Sequence, residues 1–184
     1  MTDRLAHAIA TQDWPLAEKL LRRRVAGKRA EARDFYNLAK VLEVGGKYHQ
    51  SGAWFQKALV ADPAHHDARY ELARWHVEQG QNTVAWATLG PLFKTGVPVD
   101  VDFLSLGAQL ALRVGSWEMA ETLWLALAPS DERTAALYRI GCETGKLSAQ
   151  DKIAFQRSHP NPAMHGAKVK TARGTLALRL TADR

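Results

Sequence analysis

The clearest pattern of apolar and polar positions lies between residues 32 and 65. Apolar residues return every three or four positions at Phe35, Leu38, Ala39 and Leu42, which places them on one face of an α-helix. Glycine follows at Gly46, and apolar residues with the same spacing resume after it. The stretch therefore predicts a helix, a turn and a second helix.

The turn of this stretch recurs along the chain. The recurring fragment has glycine, an aromatic residue two positions later and a small residue five positions later. Copies of it, some of them degenerate, begin at Gln12, Gly46, Gly80, Gly115 and Gly145. The glycines lie 34, 35 and 30 residues apart, and glutamine replaces glycine in the first copy. Glycine suits a helix end that needs left-handed backbone angles.

Two further residue types are expected at these turns. The small residue should lie where the two helices of a pair cross most closely, at Ala17, Ser51, Ala85 and Ala120. Gln150 breaks this rule in the last copy, unless Ala149 takes the role by a one-residue shift. Short polar side chains that follow the first helix should cap the second, at Asp13, Ser116 and Ser148.

The pattern predicts ten helices in five pairs. They cover about residues 3–11 and 14–25, 31–44 and 48–61, 66–79 and 82–95, 101–114 and 117–128, and 131–144 and 148–157. Pro91 should kink or restart the helix that contains it, because proline lacks the backbone donor. The fold class is all-α, with one domain over residues 1–157 and a basic tail over 158–184 that is either disordered or docked on the last repeat.

The best of these pairs resembles the tetratricopeptide repeat. That signature places Trp, Leu-Gly and Tyr on the first helix and Ala, Phe and Pro on the second, and residues 32–65 match it at Leu38, Phe55, Ala58 and Pro63. The resemblance implies a right-handed solenoid of about five antiparallel helix pairs. It also implies a non-enzymatic adaptor or scaffold that binds a peptide or helix of a partner in a concave groove.

In that family the groove is lined by the first helix of each pair, at positions three or four residues apart. Carried over to this chain, the partner-binding residues are Arg33, Tyr36, Asn37, Lys40, Tyr70, Glu71, Arg74, Gln109 and Arg113. Nearby carboxylates predict a partner of mixed charge. The alternative is that these residues only solvate a helical face. The clamp that binds chaperone tails is absent, since Tyr36 stands at its first lysine position.

The formal charge of +6 is unevenly distributed. Residues 157–184 contain six Lys or Arg and one Asp, which gives +5, whereas the rest of the chain sums to +1. A second basic cluster lies near the N-terminus, at Lys19, Arg22, Arg23, Arg24, Lys28, Arg29 and Arg33. An alternative function is therefore binding of nucleic acid or an anionic surface through this cluster and the tail. A third is that the tail caps the last helices or contacts a second copy.

Other classes of function find little support. The chain has no phosphate-binding glycine loop, nucleophile elbow or His-Glu-x-x-His motif, so we expect no enzyme, cofactor or metal. Cys142 is the only cysteine, which excludes an intramolecular disulfide. No stretch approaches the roughly 20 apolar residues that span a bilayer, and no signal peptide is recognisable. The predicted location is the cytoplasm, and oligomerisation is left open.

Overall fold

The computed structural model of the protein describes residues 2–160, 168–171 and 174–177. The chain divides into two compact units, Met1–Gly96 and Val97–Arg184, and each is described by itself.

Among the described residues of the first unit, all secondary-structure elements are helices. Its α-helices are α1 (Thr2–Ala10), α2 (Trp14–Val25), α3 (Ala32–Val44), α4 (Tyr48–Ala61), α5 (His66–Glu78) and α6 (Asn82–Leu89), and a 3₁₀ helix follows at Gly90–Lys94. Each helix packs against the next one in the chain, with the largest contact between α3 and α4.

The described residues of the second unit form four helices and then a hairpin. These elements are α7 (Val101–Val114), α8 (Trp117–Ala126), α9 (Asp131–Glu143), α10 (Ala149–Ser158), β1 (Lys168–Thr171) and β2 (Gly174–Ala177). The strands pair antiparallel, with Lys168 opposite Ala177 and Thr171 opposite Gly174. The hairpin was not expected from the sequence. The rest of the tail, where disorder or docking was predicted, lies outside the described residues, and the domain boundary at residue 157 stays a prediction.

The ten predicted helices are confirmed. Pro91 ends the α-helical part of its segment as expected, since α6 stops at Leu89 and the tighter 3₁₀ helix starts at Gly90. The predicted left-handed turns are also present, at Gly46 (φ 78°), Gly80 (φ 73°), Gly115 (φ 79°), Gly145 (φ 72°) and Gln12 (φ 56°). Glutamine thus adopts, in the first copy, the backbone angles that glycine adopts in the others.

The small residues that follow the first four turns are buried, as a close helix crossing requires. Ala17, Ser51, Ala85 and Ala120 are all fully buried, as predicted. The fifth pair differs, because Ala149 is exposed and α10 buries none of its residues. Ala149 therefore does not take the role of the small residue, and the last copy breaks the rule.

Two of the three predicted helix caps form. Asp13 accepts a hydrogen bond from the backbone N–H of Leu16 at 3.0 Å, and Ser148 accepts one from the N–H of Asp151 at 3.1 Å. The prediction for Ser116 was wrong, because its side chain makes no capping hydrogen bond.

The buried side chains of the first unit connect its helices. One cluster joins α1, α2 and α3 through residues that include Leu21, Leu38 and Leu42. A second joins α3, α4 and α5 through Phe55 and Leu72, among others. These clusters fix α3 and α5, whose remaining faces carry most of the predicted binding residues.

Candidate partner-binding surface

Four predicted binding residues lie on one face of α3. Arg33, Tyr36, Asn37 and Lys40 follow one another at spacings of three, one and three residues, so their side chains project from the same side of the helix. Arg33 and Asn37 are exposed, whereas Tyr36 and Lys40 are half-buried. Arg33 forms an ion pair with Glu31 at 2.9 Å. The sequence pattern therefore placed these four residues on a common, accessible face.

Lys40, Glu43, Glu71 and Arg74 form a closed ring of alternating charges between α3 and α5, here called the charge ring. Lys40 Nζ donates hydrogen bonds to Glu43 Oε2 and to Glu71 Oε1, each at 2.7 Å. Arg74 Nη2 contacts Glu71 Oε2 at 2.7 Å and also donates to Glu43 Oε1. Each carboxylate therefore holds both cations, and the ring has no net charge.

The ring keeps Lys40, Glu43 and Arg74 ionised. Burial by itself would raise the pKa of Glu43, but hydrogen bonds from Lys40 and Arg74 outweigh it and lower that pKa. Burial likewise opposes the charge on Lys40, yet hydrogen bonds to Glu43 and Glu71 raise the pKa of its ammonium. The pKa of Arg74 is raised for the same reason. All three groups are thus charged at neutral pH.

The cations of the ring are more accessible than its carboxylates. The side chains of Lys40 and Arg74 are 35% and 33% exposed, against 14% and 12% for Glu43 and Glu71. A partner would therefore meet N–H donors, with the carboxylates behind them. Lys40 and Arg74 thus lie at the surface, and carboxylates, which the sequence also indicated near them, neutralise their charge.

Aromatic rings adjoin this face. The ring of Tyr36 lies 4.9 Å from that of His65 and 5.8 Å from that of Phe55, between centroids. Burial, and next the negative charge of Glu71, raise the pKa of the Tyr36 phenol, so its hydroxyl stays protonated. Tyr70 is also half-buried. Tyr36 thus offers an apolar body with a polar tip, which is typical of residues at protein interfaces.

The remaining predicted residues lie in the second unit. Gln109 is half-buried and donates a hydrogen bond to Glu132 Oε1 at 3.3 Å, and Arg113 is exposed. Arg139 lies over the ring of Trp117, with 5.9 Å between its Cζ and the ring centroid. The structure therefore groups seven of the nine predicted residues in the first unit and two in the second. Their role in binding stays a prediction.

Glu43 is the member of the ring that the predicted list omitted. Its position three residues after Lys40 was a local signal, because residues at that spacing are neighbours on a helix surface. Its contact with Arg74 spans 31 residues and has no local signal.

Within the described residues, no group of three or more His, Cys, Asp or Glu could hold a metal ion. Cys142 is a free, half-buried thiol. Across the same residues, each helix is too short or too polar to cross a bilayer.

Comparison with known proteins identifies this fold. The chain is 29% identical, over 119 residues, to cellulose synthase operon protein C of Pseudomonas fluorescens (strain SBW25). This match covers 65% of the chain but 9% of that relative's length. No protein-family model matches the chain.

Two solved structures have a similar arrangement of helices. MamA from Desulfovibrio magneticus RS-1, from residue 41 to its end, superposes with a TM-score of 0.61 at 16% identity, over 86% of this chain and 94% of that one. A tetratricopeptide repeat protein from Parabacteroides merdae gives a TM-score of 0.63 at 14% identity, over 89% and 69%. At identities this low, the similarity concerns the fold alone. The chain therefore has the tetratricopeptide-repeat fold, as its recurring helix-turn-helix pattern predicted.

Proposed function

We propose that this protein is a non-catalytic interaction scaffold and that the α3–α5 face binds a peptide or helix of a partner protein. The observation that carries the proposal is the charge ring, bordered by half-buried Tyr36 and exposed Asn37. Folds built from helical repeats present extended surfaces of this kind to their partners.

The composition of the face supports an interaction role. Tyr36 supplies rigid contact area at a small cost in side-chain entropy, and aromatic and arginine residues dominate the energetics of many interfaces. Asn37 adds an amide that both donates and accepts. The charge ring supplies fixed donors, since its hydrogen bonds hold Lys40 and Arg74 in place before a partner arrives. Such preorganisation lowers the entropic cost of binding.

Affinity capture from the native host, followed by mass spectrometry, would identify a partner, whose affinity is then measured by calorimetry. The informative variant replaces Lys40, Glu43, Glu71 and Arg74 together by glutamine. This change removes two positive and two negative charges, so the net charge of the protein stays the same. We expect the dissociation constant to rise about tenfold or more, the equivalent of about 1.4 kcal/mol.

A matched control removes an ion pair from the second unit. Lys146 contacts Glu121 there, and replacing both by glutamine also leaves the net charge unchanged. This control should bind like the wild type. A ring variant that keeps its helical circular dichroism and its affinity would refute the proposed face.

The alternative function, binding of nucleic acid or an anionic surface, stays a prediction. Part of the N-terminal basic cluster is neutralised internally: Arg24 contacts the buried carboxylate of Asp34 at 2.8 Å, and Arg22 contacts Glu18 at the same distance. Location in the cytoplasm and oligomerisation likewise stay predictions.

A further inference from the structure

An open depression of about 450 Å³ lies on the surface of the first unit, beside α2 and the turn that joins α3 to α4. Its lining is almost entirely charged, and consists of Pro15, Glu18, Lys19, Arg22, Arg23 and Lys47. None of these residues belongs to the charge ring.

The depression has an excess of positive charge. It contains four cations and one carboxylate, a net charge of +3. Glu18 accepts hydrogen bonds from Lys47 Nζ at 2.7 Å and from Arg22 Nε at 2.8 Å. Lys19 and Arg23 have no carboxylate partner among the described residues, and both side chains are exposed. Two cations are thus anchored and two are available to a ligand.

The spacing of the available cations supports a common ligand. Lys19 and Arg23 are four residues apart on α2, and so lie on one face of the helix. The hydrogen bond from Lys47 lowers the pKa of Glu18 against the opposing effect of burial, and Arg22 adds to that lowering. Glu18 therefore stays ionised and continues to hold Arg22 and Lys47 at the edge of the depression.

We propose that this depression binds an acidic peptide segment, with consecutive Asp or Glu side chains, of a partner protein. Guanidinium and ammonium groups pair with carboxylates through charge-assisted hydrogen bonds. Lys19 and Arg23 supply these contacts, and Arg22 and Lys47 add to the positive potential. The site is separate from the α3–α5 face and does not depend on the function proposed for it.

A protein ligand fits the depression better than a nucleic acid. Proteins that bind single strands combine a basic groove with aromatic rings on which bases stack. None of the lining residues is aromatic, and the ring of Trp54, whose centroid lies 6.0 Å from Arg22 Cζ, is occupied by other contacts. This ring is already contacted by Lys57, whose Nζ lies 3.9 Å from the centroid, and by the stacked ring of Phe35 at 6.2 Å.

The test uses full-length protein and a fluorescent hexaglutamate peptide, with binding followed by fluorescence anisotropy at low salt. The double variant Lys19→Glu/Arg23→Glu reverses the two available cations. We expect its affinity to fall about tenfold, because two favourable exposed ion pairs become repulsive. Both side chains are exposed, so the fold should persist, which circular dichroism checks.

The matched control is Lys28→Glu/Arg29→Glu. These two residues are also exposed, lie between α2 and α3 outside the depression, and produce the same change in net charge, from +6 to +2. We expect a loss of no more than about threefold from long-range electrostatics.

Three results would overturn the proposal. The wild type fails to bind hexaglutamate, or the two double variants lose affinity equally, or single-stranded oligothymidylate binds at the depression while hexaglutamate does not.

The single variant Glu18→Gln gives a result of opposite sign. It releases Arg22 and Lys47 towards the ligand and should bind hexaglutamate more tightly, and unchanged or weaker binding would contradict the role given to the lining cations.

Discussion

Gly52 lies at a close contact between α4 and α5, where the ring of Trp75 occupies the space of a side chain. A Cβ atom built on Gly52 would lie 2.6 Å from both Cδ2 and Cε2 of Trp75. The indole cannot move away cheaply, because its Nε1 donates a hydrogen bond to the backbone oxygen of Tyr48 at 3.1 Å. Substitution by alanine should therefore separate the helices or displace the indole.

Two opposing effects set the size of the change. In a helix interior, alanine is more favourable than glycine by about 1 kcal/mol. Overpacking costs about 1 to 3 kcal/mol, and loss of the Trp75 hydrogen bond costs about 1 kcal/mol more. We expect Gly52→Ala to lower the free energy of unfolding by about 2 kcal/mol, although alanine is the better helix former.

Urea denaturation followed by far-ultraviolet circular dichroism measures this change. The same substitution in a Trp75→Ala background removes the clash but keeps the gain in helix propensity, so Gly52→Ala should there stabilise the protein by about 1 kcal/mol. Ala53→Gly, at the exposed neighbouring position, measures the propensity term alone. If Gly52→Ala has the same sign in both backgrounds, the assigned contact with Trp75 is wrong.

Two further predictions concern the charge ring and the first turn. Lys40 and Arg74 lower the folded-state pKa of Glu43 below its ordinary 4.5, so its stabilisation is complete above that value and disappears as the pH falls through the folded-state pKa. Glu43→Gln should therefore cost about 1 kcal/mol at neutral pH and progressively less in acid, and a pH-independent difference in unfolding free energy would contradict this. Gln12→Gly should raise the melting temperature by relieving about 1 kcal/mol of left-handed strain. Gln79→Gly, at a φ of −80°, should not.

The helices and turns could be predicted because their causes are local. Apolar residues on one helical face, a left-handed residue at each turn and a small residue five positions later all appear within a few residues of one another. Local patterns also have limits. The segment that forms α10 has a helical pattern and a capping box, yet none of its residues is buried, and its sequence did not show this.

The binding face was only partly predictable for the same reason. Spacings of three and four residues placed Tyr36, Asn37 and Lys40 together on α3. The sequence did not show that Lys40 would contact Glu71, 31 residues away, because that contact depends on how α3 and α5 pack. The sequence indicated carboxylates near the predicted cations, but not which of them would neutralise Lys40 and Arg74.

The two proposed surfaces should select partners of different charge. Lys40 has three N–H donors and uses two within the ring, while Arg74 has five and makes contacts from all three of its nitrogens. The few remaining donors suit neutral carbonyl oxygens, because a carboxylate from a partner would compete with Glu43 and Glu71. Lys19 and Arg23 face no such competition. Binding at the α3–α5 face should thus depend weakly on salt, whereas binding at the depression should weaken steeply as salt rises.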